Sequence, residues 1–476
     1  MEEFIKILNG IVWSKYLVFV ILGAGVYFSI ITRFLQVRHF RHMIKLMFTG
    51  ESSKEGVSSF QALAISISGR VGTGNIAGVA TAIAIGGPGA IFWMWVTAFL
   101  GASSSYVEST LAQIYKEKFR GEYRGGPSYF IEKGMGMKWY AVLFSVATLI
   151  AMGLLLPAVQ SNSIASALDE AFKIPVLHTG IALGILLAII IFGGVKRISK
   201  FDEVVVPVMA IAYLLVSLIV ILANVSMVPS LFKMIIIQAF NPMPALGGIV
   251  GIMVMIGVKR GIYSNEAGQG TCPHAAAAAE VKHPAAQGLV QAFGVYIDTL
   301  FICTATAFMI LITGKYNVKN PDVKGSFLVE NLPGVEIGPG YTQKAVDSVV
   351  GYGSEFVALS LLFFAFTTIL AYYYIAETNV AYIEEKTGIK SQAMLFLKFF
   401  IIGATIFGAV KKAQAAWDIA DLGVGIMAWL NIIAIFILRK PAIQALKDYE
   451  GQLDADIEEP VYDSSKLNVK NADFWK

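Results

Sequence analysis

Long apolar runs recur along the chain, separated by short polar connections. A helix needs ~20 mostly apolar residues to cross a bilayer. Runs of that kind lie at 11–32, 60–86, 89–112, 139–160, 176–194, 204–223, 246–275, 286–313, 351–376, 393–411 and 419–438, which predicts eleven spans. Two are interrupted. SISGRVGTGNIAG, from Ser66 to Gly78, sets glycines, an arginine and an asparagine inside the first, and KRGIYSNEAGQG, Lys259 to Gly270, does the same in the second. Lipid-facing backbone must be fully hydrogen-bonded, so an unwound stretch survives only where it lines protein or a cavity.

The two interruptions share a pattern, R-x-x-x-x-N-x-A-G: Arg70, Asn75, Ala77 and Gly78 in one, Arg260, Asn265, Ala267 and Gly268 in the other. Each opens a block of five spans. An odd number of spans sends the second block in from the opposite side, which predicts an inverted repeat. The resulting division is an N-terminal span with a basic loop (1–59), a first repeat (60–223), an external connector (224–245), a second repeat (246–438) and a polar tail (439–476). Residues 228–240 read as a short amphipathic piece near the outer surface. Paired broken helices at matching places of inverted repeats point to a transporter's binding site. Freed N–H groups and a half-helix N-terminus suit a carboxylate, and freed carbonyls suit a cation.

Composition supports a membrane protein: 56% of the 476 residues are apolar and 15% charged, against about 25% charged in a soluble chain. The net charge of +4 is small, and lysine and arginine are too scattered for a nucleic-acid-tracking face. They are uneven across the membrane, however. Segments 33–58, 113–138, 195–203, 276–285, 377–392 and 439–476 hold 23 of them and the alternate segments 10. By the positive-inside rule the N-terminus lies outside and the C-terminus in the cytoplasm of a plasma-membrane protein. The acidic start, MEEFIKILNG, does not read as a cleavable signal.

Other chemistries fit less well. Gly72-x-Gly74-x-x-Ala77 echoes a dinucleotide-binding turn, but the next acidic residue is Glu108, far too late. A channel would want rings of charge or carbonyls about an oligomer axis. Cys272, His274 and His283 match no common metal spacing, and the two cysteines, Cys272 and Cys303, read as packing residues. No catalytic residue, resident metal or cofactor is expected. Glu108, Asp298 and Glu377 are acids at or within spans, expected only to pair or cap.

The runs GRVGTGNIAGVATAI, GGPGAIFWMW, YRGGPSYFIEKG, KRGIYSNEAGQGTCPHAAAAA and AYYYIAETN resemble the alanine/glycine:cation symporter family, over about residues 10 to 440. That family is similar to the leucine-transporter-type fold of five-plus-five inverted repeats, here all-α with one added N-terminal helix. The resemblance implies sodium-coupled uptake of alanine and glycine by alternating access, with sodium as coupling ion. A proton-coupled or uncoupled carrier of the same fold is the alternative. It further implies that amides at Thr73 and Gly74 receive the substrate carboxylate, with Asn75 ligating sodium beside it. Asn265 and Gly268 of the second break join the substrate site. Carbonyls of Ser68 and Val71 form a sodium site completed by Thr367, Thr368 and the carbonyl of Phe364. Packing hydroxyls bonded back to their own helix are the plain alternative for the two threonines. Glu266 is expected to pair with Arg70 or Arg260, or to meet the substrate ammonium, and Arg70 could gate. Tyr263 and Trp417 are candidates to close the pocket.

Overall fold

The computed structural model describes every residue except 1, 51, 54, 194, 241–248, 324, 389–391, 412 and 476. The end of the predicted connector and the start of the second predicted repeat therefore lie outside the described residues. Among those described, eight helices are long and apolar enough to span a bilayer: Glu3–Ile31, Gly89–Ile114, Lys138–Phe172, Arg197–Ala223, Pro284–Ile312, Gly353–Lys386, Gln392–Ala409 and Ala416–Ile437. The three other predicted spans are the shorter helix Val176–Ile191 and the two interrupted ones.

The helices used below are α1 (Ser59–Arg70), α2 (Val79–Gly86), α3 (Gly89–Ile114), α4 (Leu156–Phe172), α5 (Val195–Ala223), α6 (Ile249–Asn265), α7 (Cys272–Ala278), α8 (Pro284–Val295), α9 (Gly353–Thr387), α10 (Ala413–Ile437) and α11 (Arg439–Asp454). Two small antiparallel hairpins complete the fold, β1 (Glu117–Phe119) with β2 (Glu122–Arg124) and β3 (Asn317–Lys319) with β4 (Phe327–Glu330). The predicted amphipathic piece at 228–240 is the helix Val228–Phe240.

Burial separates core from rim. The apolar windows of Pro284–Ile312 and Gly353–Lys386 are 78% buried by other helices, whereas those of Arg197–Ala223 and Gln392–Ala409 are 28% buried. The rim helices instead present side chains such as Val204, Val208, Phe399 and Phe400 outward, where lipid replaces protein. The core helices include the partners of both interruptions.

Some helices outrun the hydropathy pattern. α9 continues to Thr387, beyond the predicted end at 376. Its polar extension carries Glu377 and Glu384, which pair with Arg124 at 3.4 Å and Arg120 at 3.1 Å from the first hairpin region. Charges that end an apolar run need not end a helix when a neighbouring loop pairs them. α1 begins at a capping box: Ser58 Oγ accepts from Gln61 N–H, and Gln61 Oε1 accepts from Ser58 N–H.

One end of the bundle is stitched across sequence. Val57 pairs with the end of α7, donating to the Ala278 carbonyl and accepting from Glu280 N–H. The tail after α11 folds over this region. Tyr462 N–H donates to the Lys282 carbonyl, Asn471 to that of Lys133, and Trp475 Nε1 to that of Gln113. Lys116, buried, donates to the Ala279 carbonyl and lies 4.4 Å from the Tyr123 ring and 4.3 Å from that of Phe474.

Candidate functional site

The first interruption opens where α1 ends. Val71 leaves helical geometry (φ −81, ψ 89), and the chain re-enters helix through a wide turn at Gly74–Gly78 before α2. Its loose groups find specific partners. Gly72 N–H donates to Asn75 Oδ1 (2.8 Å) and Thr73 N–H to Gln160 Oε1 of α4 (3.0 Å). Thr368 Oγ1 of α9 lies 2.7 Å from the Ser68 carbonyl oxygen, 3.3 Å from that of Val71 and 2.9 Å from that of Phe364. One hydroxyl proton cannot serve three acceptors, so this is a buried pocket of oxygen lone pairs at the negative end of a half-helix. Gly72 permits it: a Cβ there would stand 2.4 Å from Thr368 Oγ1 and 2.9 Å from Gln160 Oε1.

Thr367 does otherwise. Its hydroxyl bonds back to the carbonyls of Phe363 and Phe364, so of the two threonines only Thr368 reaches the first break. Asn75 also differs from expectation. Its oxygen is taken by Gly72 N–H, and its Nδ2 donates to Asp298 Oδ1 (2.6 Å), so its amide braces the break.

The second interruption lies on the other side of its motif. α6 runs through Asn265, and the chain unwinds afterwards with positive φ at Glu266 (56°), Gly268 (80°) and Gly270 (88°) before α7. In the first motif the unwinding precedes the asparagine and in the second it follows. The reason is glycine placement: Gly72 and Gly74 lie before Asn75, Gly268 and Gly270 after Asn265. Asn265 and Gly268 are engaged here, whereas Glu266 Oε1, both side-chain amide atoms of Gln269 and Asn431 Oδ1 have no hydrogen-bond partner among the described residues. Asn265 accepts from Ala267 N–H and donates to Thr299 Oγ1. Gly268 donates to Glu108 Oε1 (3.0 Å) and accepts from Asn431, which also donates to Glu108 Oε2. Glu108 of α3 therefore anchors the second break.

The expected ion pair of Glu266 with an arginine does not form. Glu266 accepts from Thr271 Oγ1 at 2.8 Å. Arg260 is held by both oxygens of Asp421 on α10 (3.1 and 2.8 Å), and Lys259 joins the same carboxylate at 2.7 Å. Arg70 is buried and donates to the Gln291 carbonyl and Ser105 Oγ, with no carboxylate within 4.0 Å among the described residues. Asp421 lies 161 positions from Arg260 on another helix, so the hydropathy pattern gives no sign of the pair.

The two breaks meet through Asp298, between α8 and the helix Thr304–Ile312. Its Oδ1 accepts from Asn75 of the first break and from Ser264 Oγ of α6 (3.0 Å), and its Oδ2 from Thr299. Above this junction the Tyr263 and Trp417 rings pack 4.7 Å apart. A Cβ on Gly74 would lie 3.3 Å from the Tyr263 ring, and one on Gly78 3.8 Å from that of Trp417, so both aromatics cover the first break. Asp298 was visible in the sequence as an intramembrane acid, but its partners come from other helices. Gln160 gave no signal at all. Cys272, His274 and His283 take separate partners: Glu108, Asn379 and Asp448.

A cavity of about 1210 Å³ lies elsewhere, an apolar groove lined by Leu154, Phe396, Phe400 and Phe407 on the rim. The chemistry sits at the breaks.

Two broken helices joined at the centre of a many-helix bundle are the architecture of a carrier, and a solved structure shares the fold. The chain aligns with a Na+-coupled sialic acid symporter over 95% of its own length and 93% of that chain, with a TM-score of 0.52 at 13% identity, which is a likeness of fold. The chain belongs to the sodium:alanine symporter family, whose profile matches residues 1–464. It is 60% identical to YrbD of Bacillus subtilis (strain 168), over 100% of this chain and 98% of that protein; the name of YrbD assigns it provisionally as a sodium/proton-dependent alanine carrier. It is 52% identical, over 91% of this chain and 97% of the relative, to the sodium/proton-dependent alanine carrier protein of Bacillus sp. (strain PS3).

Proposed function

We propose that this protein couples inward sodium movement to uptake of alanine, and of glycine, through the first break. The observation that carries the reading is the convergence of the Ser68, Val71 and Phe364 carbonyls on Thr368 Oγ1. Sodium is a hard cation and takes oxygen ligands, as other hard cations do. At this site it would take over from the hydroxyl's hydrogen bond, which satisfies only one of three acceptors, with the Thr368 hydrogen turned away and Oγ1 left as a ligand, and Thr367 would add its hydroxyl by rotating off its own helix. The substrate carboxylate meets the N–H groups of Thr73 and Gly74, taking the first over from Gln160. The Tyr263 and Trp417 rings and the Ser264 backbone lie close against Gly74 and Gly78, which supports a small substrate side chain. Asn75 and Asp298 hold the two breaks together, so occupancy of one is felt by the other. Asn265 and Gly268 act by shaping the second break rather than touching substrate, since their polar groups are engaged.

The charge pattern supports a cytoplasmic C-terminus, and the two five-helix blocks support alternating access about the breaks. The driving force suffices: one charge moving through 100 mV releases ~2.3 kcal/mol, enough for about 40-fold accumulation of a neutral solute. No bond is made or broken in this function.

The test is alanine uptake into proteoliposomes with an inward sodium gradient, and with potassium in its place. Accumulation above equilibrium only with sodium is expected. Uptake driven by a proton gradient alone would keep the carrier and discard the sodium site. Equilibration indifferent to every ion would overturn coupling.

A further inference from the structure

Asp202 lies on α5, a rim helix, yet its side chain is fully buried. Its Oδ2 is 2.9 Å from Ser68 Oγ, and its Oδ1 has no hydrogen-bond partner. Ser68 Oγ is also 2.7 Å from the Ile65 carbonyl. A hydroxyl has one hydrogen, so the carboxylate holds at most a shared bond. No lysine, arginine or histidine approaches it within 4.0 Å among the described residues. The adjacent acid, Glu203, turns away to Gln61 Nε2. A buried carboxylate with neither cation nor full hydrogen bonding is costly, and in a membrane span such a residue marks a function by default.

Its position gives the function a direction. Ser68 offers its hydroxyl to Asp202 and its carbonyl to the Thr368 oxygen pocket. One residue therefore joins the two. Asp202 lies near the first turns of α5, and Ser68 precedes Val71 on α1, so Asp202 stands on the side of the pocket toward the basic loops. We propose that Asp202, with Ser68 Oγ, forms a second sodium site on the cytoplasmic side of the Thr368 site. The donor set is all oxygen and includes a full negative charge, which suits a hard monovalent cation. An ion there neutralises the carboxylate and draws Ser68 Oγ from Ile65. A sodium ion leaving the Thr368 pocket inward would meet this site first. The inference rests on the sodium reading of that pocket.

The experiment is the ratio of radioactive sodium to alanine entering proteoliposomes, for wild type and Asp202→Asn. The expected result is one fewer sodium, and one fewer net charge, per alanine in the variant. The Hill coefficient for sodium should fall from about two to about one, while uptake stays sodium-dependent. Equal ratios in both proteins overturn the second site and leave the Thr368 site standing. A wild type without sodium dependence overturns both. Should Asp202→Asn fail to fold, equilibrium sodium binding to detergent-purified wild type decides: two ions per chain support the site, and one overturns it.

Discussion

Gly72 has no room for a methyl group. A Cβ would press on Thr368 Oγ1 and on Gln160 Oε1, one the hub of the oxygen pocket and the other the acceptor for Thr73 N–H. Overpacking a tight site costs ~1–3 kcal/mol, here charged to ion binding rather than to the fold, because the pocket can open by shifting Thr368. Gly72→Ala should therefore raise the sodium half-saturation for alanine binding by roughly 5- to 150-fold, with little change in melting temperature. An unchanged half-saturation would show that Thr368 is not a ligand. The sequence made Gly72 and Thr368 legible for different reasons. The glycine stands out because an apolar span rarely carries four of them in thirteen residues, and the threonine because resemblance supplied a partner helix. Asp298, Gln160, Asp202 and Asp421 act through contacts between distant helices, and nothing in local pattern reports a partner more than eighty positions away.

The spans themselves were readable because lipid imposes a length and a composition on any helix that crosses it. The helix ends were less so. Hydropathy stops at the first charge, but α9 goes on for more than two turns because Arg120 and Arg124 receive its glutamates. The shared R-x-x-x-x-N-x-A-G pattern located both breaks and misplaced their registers relative to one another. The residues that unwind a helix are those free to adopt positive φ or to admit close neighbours, and these lie before one asparagine and after the other. The consequence is an asymmetric pair. At the first break carbonyls converge on a single hydroxyl, and at the second Glu108 and Asn431 hold Gly268 and Thr299 holds Asn265, with Glu266 Oε1 and the Gln269 amide left unpaired among the described residues. On the proposed function the first break receives the ligands and the second braces it.

Across the whole molecule, the end where α1, α7 and the first hairpin meet is covered by the tail. His283 is central to that cover. Its Nδ1 accepts from Ala285 N–H, its Nε2 faces Asp448 at 3.1 Å, and the rings of Tyr449 and Tyr462 pack against it. Burial pushes the imidazole down to about 4, against the pull of Asp448. A charged ring would carry a proton on Nδ1 and lose the Ala285 bond. The undocked histidine, near 6.5, binds a proton before the docked one does, so docking is at full strength above about 6.5 and weakens as pH falls toward 4. Hydrogen exchange of α11 and the tail together, residues 439–475, corrected for intrinsic rate, should accelerate over that window and not between pH 7 and 8. A flat profile would remove His283 from the cover. The central claim, that sodium at the end of α1 and substrate at the start of α2 share one break, is tested most directly by linkage. The measurement is alanine affinity of the purified protein across sodium concentrations, and sodium affinity across alanine concentrations, for wild type and Thr368→Ala. The account predicts that each ligand tightens the other by the same factor in wild type, and that Thr368→Ala loses the effect. Alanine binding indifferent to sodium in wild type, or an unaltered sodium half-saturation in Thr368→Ala, would contradict it.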